Sequence, residues 1–323
     1  MELRMKGAVA ARIKANVEKV IVGKGEAIEL LLVALAAGGH ALLEDVPGTG
    51  KTMMAKSLAR SLDASFRRIQ FTPDLLPSDV TGVSFFNQKQ GEFEYRPGPI
   101  FASVILADEI NRATPRTQSS LLECMEERQV TVEGVTRPMA RPFLVLATQN
   151  PVEQEGTFPL PEAQLDRFLL KLPVGYPAAD EEMEMMDRFR QQSPFAALEP
   201  VAAVAEILEL QDAVPQVHIS RPVQQYMLEI VRATRTQANV ELGVSPRGAL
   251  ALMRACQALA LIRGRDYVLP DDVQRLAGPV LAHRIIATSR ARLRGQGALE
   301  VITKIVAELP VPAEPVATGG GAS

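Results

Sequence analysis

Cysteine and histidine are scarce in this chain, and their spacing is not that of a disulfide-bonded or metal-binding protein. The two cysteines, Cys124 and Cys256, lie far apart in helix-like segments, where small buried thiols are common. The histidines, His40, His218 and His283, are scattered, without the spacing of a protein metal site. We therefore expect two reduced core cysteines, and we expect any metal to arrive with a ligand.

The sequence also lacks a long apolar run and an excess of basic residues. Charges interrupt the apolar positions of residues 1–20, a pattern unlike the apolar centre of a signal peptide and too short for a membrane span. The formal net charge is -3 and no long basic run occurs, which disfavours a nucleic-acid partner. We therefore expect a cytoplasmic protein without a membrane span.

Three short, wholly apolar runs in the first half of the chain predict buried strands. They are Ala41–Leu43, Val104–Ala107 and Phe143–Ala147. Strands that are covered on both faces are apolar throughout, and helix-like segments separate these three runs. Strands that alternate with helices predict a parallel α/β sheet with right-handed crossovers, preceded here by two amphipathic helices around residues 9–20 and 28–35.

Beyond about residue 177 the pattern changes to one helix after another. Ser-Pro and Leu-Pro pairs in the breaks favour helix starts, whereas the end of the chain is rich in Pro, Ala and Gly without periodicity. With 323 residues available, we predict an α/β core over 1–175, a helical domain over 176–310 and a disordered tail over 311–323. The predicted helices of the second domain are Asp180–Arg190, Val201–Gln211, Val223–Arg235, Arg247–Ile262 and Asp271–His283.

A glycine-rich segment, Val46–Thr52, follows the first predicted strand and precedes a helical stretch. Its two glycines would let backbone N–H groups turn toward phosphates, Lys51 would reach the β and γ phosphates, and Thr52 would bind Mg²⁺. The segment therefore resembles a P-loop, although Asp45 stands where the full pattern has glycine, and an ordinary strand-to-helix turn is the alternative. The predicted nucleotide-binding residues here are Pro47, Gly48, Thr49, Gly50, Lys51, Thr52 and Met53.

Polar residues follow the other two predicted strands. Asp108 would hold Mg²⁺ through water and Glu109 would polarise the attacking water as general base, which are the roles that hydrolysis of ATP requires. Asn150, after the third strand, would emerge at the same edge of the sheet and orient that water. Taken singly, two solvated acids or an Asn-Pro turn would explain these residues equally well.

With these residues in place, the sequence resembles the MoxR family of AAA+ ATPases over nearly all of residues 20–290. The segments that carry the resemblance are Val46–Thr52, Gln70–Asp79, Arg96–Phe101, Asp108–Arg112, Ala147–Pro151 and Leu160–Phe168. The resemblance implies an AAA+ P-loop NTPase core, with a parallel sheet flanked by helices, followed by a smaller all-helical lid domain. Several of these segments are long enough to be highly specific.

The resemblance also implies a role for each site residue. Lys51 and Thr52 would form Walker A, Asp108 and Glu109 Walker B, and Asn150 sensor 1. Two arginines would act on the γ-phosphate: Arg167 as an arginine finger for the neighbouring subunit's ATP, and Arg247 as sensor 2. Surface ion pairing or simple solvation is the alternative for both. Backbone groups of Val22 and Gly23 would line the adenine pocket.

The family further implies how the chain is assembled and used. Its members act as ring oligomers, usually hexamers, that hydrolyse ATP with Mg²⁺ in chaperone-like maturation of protein complexes, often with a von Willebrand factor A domain partner. Hairpin insertions are expected at 83–95, from their apolar arms around a polar turn, and at 130–136. Two alternatives stay open: a nucleotide-controlled binding switch with slow hydrolysis, and, less favoured, a nucleic-acid motor.

Overall fold

The computed structural model describes residues 2–44, 48–150, 156–190, 193–295 and 297–312. Several predictions fall outside these residues. They include Pro47 of the P-loop, the residue Pro151 that follows Asn150, and positions 313–323 of the expected tail.

A five-stranded parallel sheet forms the centre of the first half of the chain. Its strands run in the order β2-β5-β8-β1-β9, so the three predicted strands are the three inner ones, and β2 and β9 lie at the edges. The edge strands escape prediction because each carries charge: β2 contains two arginines and β9 is three residues long with a central lysine. The sheet strands are β1 (Ala41–Glu44), β2 (Phe66–Gln70), β5 (Val104–Asp108), β8 (Leu144–Gln149) and β9 (Leu170–Leu172).

Both predicted hairpins are present. The first, β3 (Gly82–Asn87) with β4 (Glu92–Pro97), extends the predicted 83–95 by one residue at its start and two at its end. The second, β6 (Gln129–Val132) with β7 (Val135–Pro138), turns at Glu133 and Gly134 as expected. On the first hairpin Phe86 and Phe93 form an edge-to-face pair, although both rings are largely exposed.

Helices cover the sheet and make up most of the second half of the chain. Those of the first half are α1 (Glu2–Glu18), α2 (Gly25–Ala36), α3 (Lys51–Ser61), α4 (Pro77–Thr81), α5 (Pro115–Glu127) and α6 (Glu162–Leu165). Those of the second are α7 (Ala179–Phe189), α8 (Val204–Ala213), α9 (Arg221–Thr234), α10 (Pro246–Ile262), α11 (Pro270–Leu281), α12 (Ser289–Leu293) and α13 (Ala298–Glu308). All five helices predicted there are confirmed.

In the described part of the lid, one short ribbon accompanies the helices. Strands β10 (Val240–Leu242) and β11 (Ile286–Ala287) pair in an antiparallel sheet, which brings together the segments that follow α9 and precede α12. The prediction of an all-helical lid therefore needs this one correction. Pairing between segments more than forty positions apart leaves little local signal, which is why strands of two and three residues were not foreseen.

Alternate residues of the sheet face two hydrophobic clusters. Val104 and Leu106 of β5 belong to one cluster, whereas Ile105 and Ala107 belong to the other. The first cluster continues through α1 and α2 into α8, α10 and α11, so the N-terminal helices join the sheet to the lid. Both cysteines are free and buried within these clusters, as expected. In the part of the chain that the structure describes, no helix is long and apolar enough to cross a membrane.

Candidate nucleotide site

The P-loop leads directly into helix α3. Gly48 and Gly50 adopt left-handed backbone angles, with φ of 88° and 85°, and Gly50 immediately precedes the helix, which begins at Lys51. A Cβ atom at either glycine would meet nothing within 4 Å, so the backbone angle and not lack of space calls for glycine. Helix N-termini attract anions because the helix dipole and the first N–H groups point outward there, so this end of α3 is a natural phosphate site.

A cavity of about 440 Å³ opens at this end of α3. It brings together most of the residues that the sequence singled out, from the P-loop and from the ends of two strands. Of the predicted residues, those lining it are Gly48, Thr49, Gly50, Lys51, Thr52, Met53, Asp108, Glu109 and Asn150. Residues that are distant in sequence therefore converge on one pocket.

Strand register explains this convergence. In the parallel sheet Gln70 pairs with Asp108, Ala107 with Ala147, and Leu43 with Thr148, so the strands end at the same level. Parallel strands deliver the residues that follow them to one edge, and ligands bind in the crevice outside that edge. The sequence order of strand, loop and helix is thereby converted into a single site.

Asp108 is held by two side chains on neighbouring strands. The hydroxyl of Thr148 donates to Oδ1 of Asp108 at 2.6 Å, and Nε and Nη2 of Arg68 donate to Oδ2 at 3.0 and 2.6 Å. The Asp108 side chain is only 13% exposed, whereas that of Arg68 is 47% exposed. The carboxylate is thus fixed on one side by a buried hydroxyl and covered on the other by a half-exposed cation.

Glu109 has an unusual backbone conformation with defined partners. Its φ of 57° is left-handed, which is uncommon for a residue with a side chain, and its N–H donates to the Thr148 hydroxyl at 2.8 Å. Oε2 of its carboxylate accepts from Gln70 at 2.8 Å and lies 3.2 Å from Nε of Arg112. Backbone strain of this kind concentrates at functional sites, and here it sends the Glu109 side chain into the cavity.

The residues around the cavity fit Mg²⁺ bound together with a nucleotide. Thr52 offers a hydroxyl and Asp108 a carboxylate, both lining the same cavity, and oxygen donors in small number are what Mg²⁺ takes from proteins when phosphates supply the rest. The positively charged Lys51 lines the same cavity, and a cation at this position attracts phosphate oxygens.

The two predicted catalytic arginines share one partner, Glu126, away from this cavity. Glu126, near the end of α5, lies 2.9 Å from Nε of Arg167 and 2.5 Å from Nη2 of Arg247. Neither arginine is among the described residues that line the P-loop cavity. Their roles as finger and sensor 2 stay predictions, and in this conformation one carboxylate holds both.

A buried arginine fastens the same region to the lid. Arg284, which follows α11, donates to Oδ1 of Asp166 at 2.6 Å and to the carbonyl of Phe168 at 2.8 Å. Burial lowers the pKa of Arg284, while Asp166 opposes that shift. The residue preceding the predicted finger is therefore tied to the lid, which would couple movements of the lid to Arg167.

The predicted adenine residues lie elsewhere. Gly23 lines a second cavity of about 730 Å³ between the N-terminal loop, the end of β9 and helix α11; Val22 is not among its described lining residues. A Cβ added to Gly23 would come within 2.4 Å of both Glu181 carboxylate oxygens, but these end a flexible side chain, so it is the φ of 70° that calls for glycine there. The assignment of these two residues to adenine stays a prediction.

Sequence reasoning missed several residues of the site, three of which contact Asp108 or Glu109. Thr148 lies in an apolar strand, where a β-branched residue is common and gives no sign of a functional role. Arg68 and Gln70 lie in β2, which was not predicted as a strand. A period of two would have placed Arg68 and Gln70 on one face of that strand, next to the Walker B strand. They contact each other, with Nη2 of Arg68 donating to Gln70 at 2.6 Å.

Comparison with known proteins identifies the architecture. Residues 40–170 match the ATPase family associated with various cellular activities (AAA), and residues 232–305 match the AAA lid domain. The chain is 42% identical to chaperone MoxR1 of Mycobacterium tuberculosis, covering 92% of this chain and 81% of that protein, and 32% identical to protein MoxR of Paracoccus denitrificans, covering 93% and 95%.

A solved structure agrees in fold as well as in sequence. A candidate ATPase from Cytophaga hutchinsonii superposes with a TM-score of 0.90 at 41% identity, covering 97% of this chain and 98% of that one. The parallel sheet, the converging P-loop and Walker B residues, the helical lid and these relatives agree. The chain belongs to the MoxR family of AAA+ ATPases.

Proposed function

We propose that this protein hydrolyses ATP in a Mg²⁺-dependent reaction and uses the energy to remodel another protein. The observation that carries the proposal is the cavity at the start of α3, where Lys51, Thr52, Asp108, Glu109 and Asn150 converge. Those residues supply a phosphate-binding cation, oxygen ligands for a metal, a carboxylate base and a water-orienting amide. Hydrolysis of a nucleoside triphosphate requires these same groups.

Each residue would contribute through position and charge, because phosphoryl transfer leaves little covalent work to the protein. Lys51 would contact the β and γ phosphates, and Thr52 and Asp108 would hold Mg²⁺, which neutralises charge on the phosphate oxygens when bound. Glu109 would accept a proton from the attacking water. Asn150 would orient that water against the γ-phosphate.

Assembly into a ring would complete the site. Arg167 is bound to Glu126 and lies outside the lining of its own P-loop cavity, which supports a role on a neighbouring subunit's ATP. In other NTPases a finger of this kind is worth ~10³ to 10⁵ in turnover. An isolated subunit should therefore turn over slowly, and we propose a homo-oligomer, with six subunits as the arrangement implied by the family.

The client would be another protein, with a von Willebrand factor A domain protein as the candidate. The name of the M. tuberculosis relative, a chaperone, supports this class of task. Phe86 and Phe93 on the first hairpin are exposed by 51% and 77%, which gives the ring an aromatic contact surface for a protein chain. A cytoplasmic location is part of the same proposal.

One observation favours a second candidate, a switch that holds ATP and hydrolyses it slowly. Oε2 of Glu109 accepts from Gln70 and lies beside Arg112, so the general base is engaged in this conformation. A base that is engaged by neighbouring side chains must be released before it can reach the attacking water, which would slow hydrolysis. The two candidates differ in rate and share the same ATP site.

Subunit mixing tests the proposal. ATP turnover would be measured against protein concentration for wild type, Glu109→Gln, Lys51→Ala, Arg167→Ala and an equimolar mixture of the last two. We expect turnover per subunit to rise with assembly, Glu109→Gln to be inactive, and the mixture to regain part of what each variant lost. Turnover that is independent of concentration and unaffected by Arg167→Ala would refute a shared site. Near-zero turnover of the assembled wild type would favour the switch.

A further inference from the structure

Arg68 has no role in the chemistry described so far, yet it lies against the residues that carry it. Its guanidinium lines the P-loop cavity and makes two hydrogen bonds to Oδ2 of Asp108. The same group donates to Gln70, whose amide in turn donates to Glu109. Arg68 therefore contacts the proposed metal-holding carboxylate directly and the proposed general base through one intermediate.

The chemistry of the contact is that of a cation on a metal ligand. Asp108 is largely buried, and a carboxylate with little access to water needs a positive partner or strong donors. Without a metal, Arg68 supplies that positive charge; with Mg²⁺, a second and more compact cation supplies it. A guanidinium on Oδ2 and a divalent cation held by the same carboxylate, directly or through water, repel each other, so Mg²⁺ weakens the Arg68–Asp108 pair.

We propose that Arg68 is a positioning residue that takes the place of Mg²⁺ on Asp108 when the site is empty and yields that place when Mg²⁺ and nucleotide bind. The proposal rests on the ATP site proposed above. Arg68 is suited to move, since nearly half of its side chain is exposed and its backbone lies in the edge strand β2.

This arrangement sets how strongly nucleotide binding depends on Mg²⁺. For wild type, Arg68 helps metal-free nucleotide to bind by covering the repulsive carboxylate, whereas binding with Mg²⁺ works against the Arg68–Asp108 pair. Loss of Arg68 weakens nucleotide binding without Mg²⁺ and removes an energetic cost from nucleotide binding with Mg²⁺. The ratio of the dissociation constant without Mg²⁺ to that with Mg²⁺ should therefore increase.

The adjacent arginine provides a matched control. Arg67 lies on the same strand, is exposed, and points to the opposite face, where its Nη1 contacts only its neighbour's carbonyl at 3.4 Å among the contacts described. Arg67→Gln removes the same charge as Arg68→Gln, from the neighbouring position of the same strand. Any effect of net charge alone should appear in both variants.

The test is calorimetric titration of the full-length protein with the non-hydrolysable analogue AMPPNP, in EDTA and in excess Mg²⁺. We expect the ratio of dissociation constants to rise about tenfold in Arg68→Gln, to rise less in Arg68→Lys, which keeps the charge but not the paired donors, and to stay at the wild-type value in Arg67→Gln. Thermal melts of each variant report whether it is folded.

Two results would overturn the proposal. A ratio in Arg68→Gln equal to that of wild type and Arg67→Gln would assign the Arg68–Asp108 contact a structural role only. A ratio that falls would mean that Arg68 assists metal binding. If wild type itself fails to bind AMPPNP in both conditions, the proposed ATP site fails, and that outcome is distinct from a wild type that binds and an Arg68→Gln variant that matches it.

Discussion

Thr148 offers the sharpest test of how the sheet supports the catalytic residues. Its side chain is 2% exposed, donates to Oδ1 of Asp108 at 2.6 Å and accepts from the backbone N–H of Glu109 at 2.8 Å. One hydroxyl thus fixes both Walker B residues. Thr148→Val keeps the shape of the side chain and removes both hydrogen bonds.

The magnitude follows from the two bonds that are lost. A hydrogen bond to a charged group contributes roughly 1.5–3 kcal/mol, and a backbone N–H left without a partner costs roughly 1–3 kcal/mol. Asp108 keeps its hydrogen bonds from Arg68, and the open cavity lets water replace part of the hydrogen bonding that is lost. We therefore expect Thr148→Val to lower the free energy of unfolding by about 2 to 4 kcal/mol.

Catalysis should suffer in parallel, because the strained backbone of Glu109 loses the partner that supports it. We expect ATP turnover to fall by about tenfold or more, since a shift of an ångström at a reacting group can cost on the order of a hundredfold. Thr148→Ser is the matched control: it keeps the hydroxyl and loses one buried methyl, at a cost of roughly 1 kcal/mol. Urea unfolding and steady-state turnover measure both effects. Equal behaviour of the valine and serine variants would refute the reasoning.

Two further predictions concern residues beyond the cavity. Burial, reinforced by Arg128, lowers the pKa of His40 to about 3. Its Nδ1 accepts from the Val145 N–H at 3.0 Å, which only the neutral ring can do. Because the unfolded chain binds the proton with a pKa of about 6.5, stability is lost as pH falls through the window between these values, by roughly 2 kcal/mol at pH 5. Urea unfolding at pH 7 and pH 5 should show that His40→Gln loses less free energy of unfolding between the two pH values than wild type does. An equal loss in the two proteins would contradict the prediction. Separately, Glu126→Gln removes the charge that both predicted catalytic arginines contact. It should lower the free energy of unfolding, obtained from thermal melts, by about 1 kcal/mol or less, since the pairs are partly exposed. The exposed neighbour Glu127 gives the control, and equal effects of the two glutamine variants would show that the pairs contribute nothing.

Local patterns in the sequence determined the parts of the site that depend on short stretches of chain. The P-loop is readable because Gly48 and Gly50 must adopt left-handed angles just before a helix, and few other residues accept them. The inner strands β1, β5 and β8 are readable because burial on both faces leaves them apolar. Asp108, Glu109 and Asn150 were identified because they follow two of those strands.

Tertiary structure alone decided what crosses between segments. The register of β2 beside β5 brings Arg68 to Asp108, and the register of β8 brings Thr148 to both Walker B residues. The pairing of Arg167 and Arg247 with Glu126 depends on how the segments that carry these arginines pack against α5. Such contacts join residues tens of positions apart, and no local periodicity encodes which of many polar side chains will meet. The sequence therefore determined the elements of the site and the order in which they occur, while packing of those elements decided which charges neutralise one another.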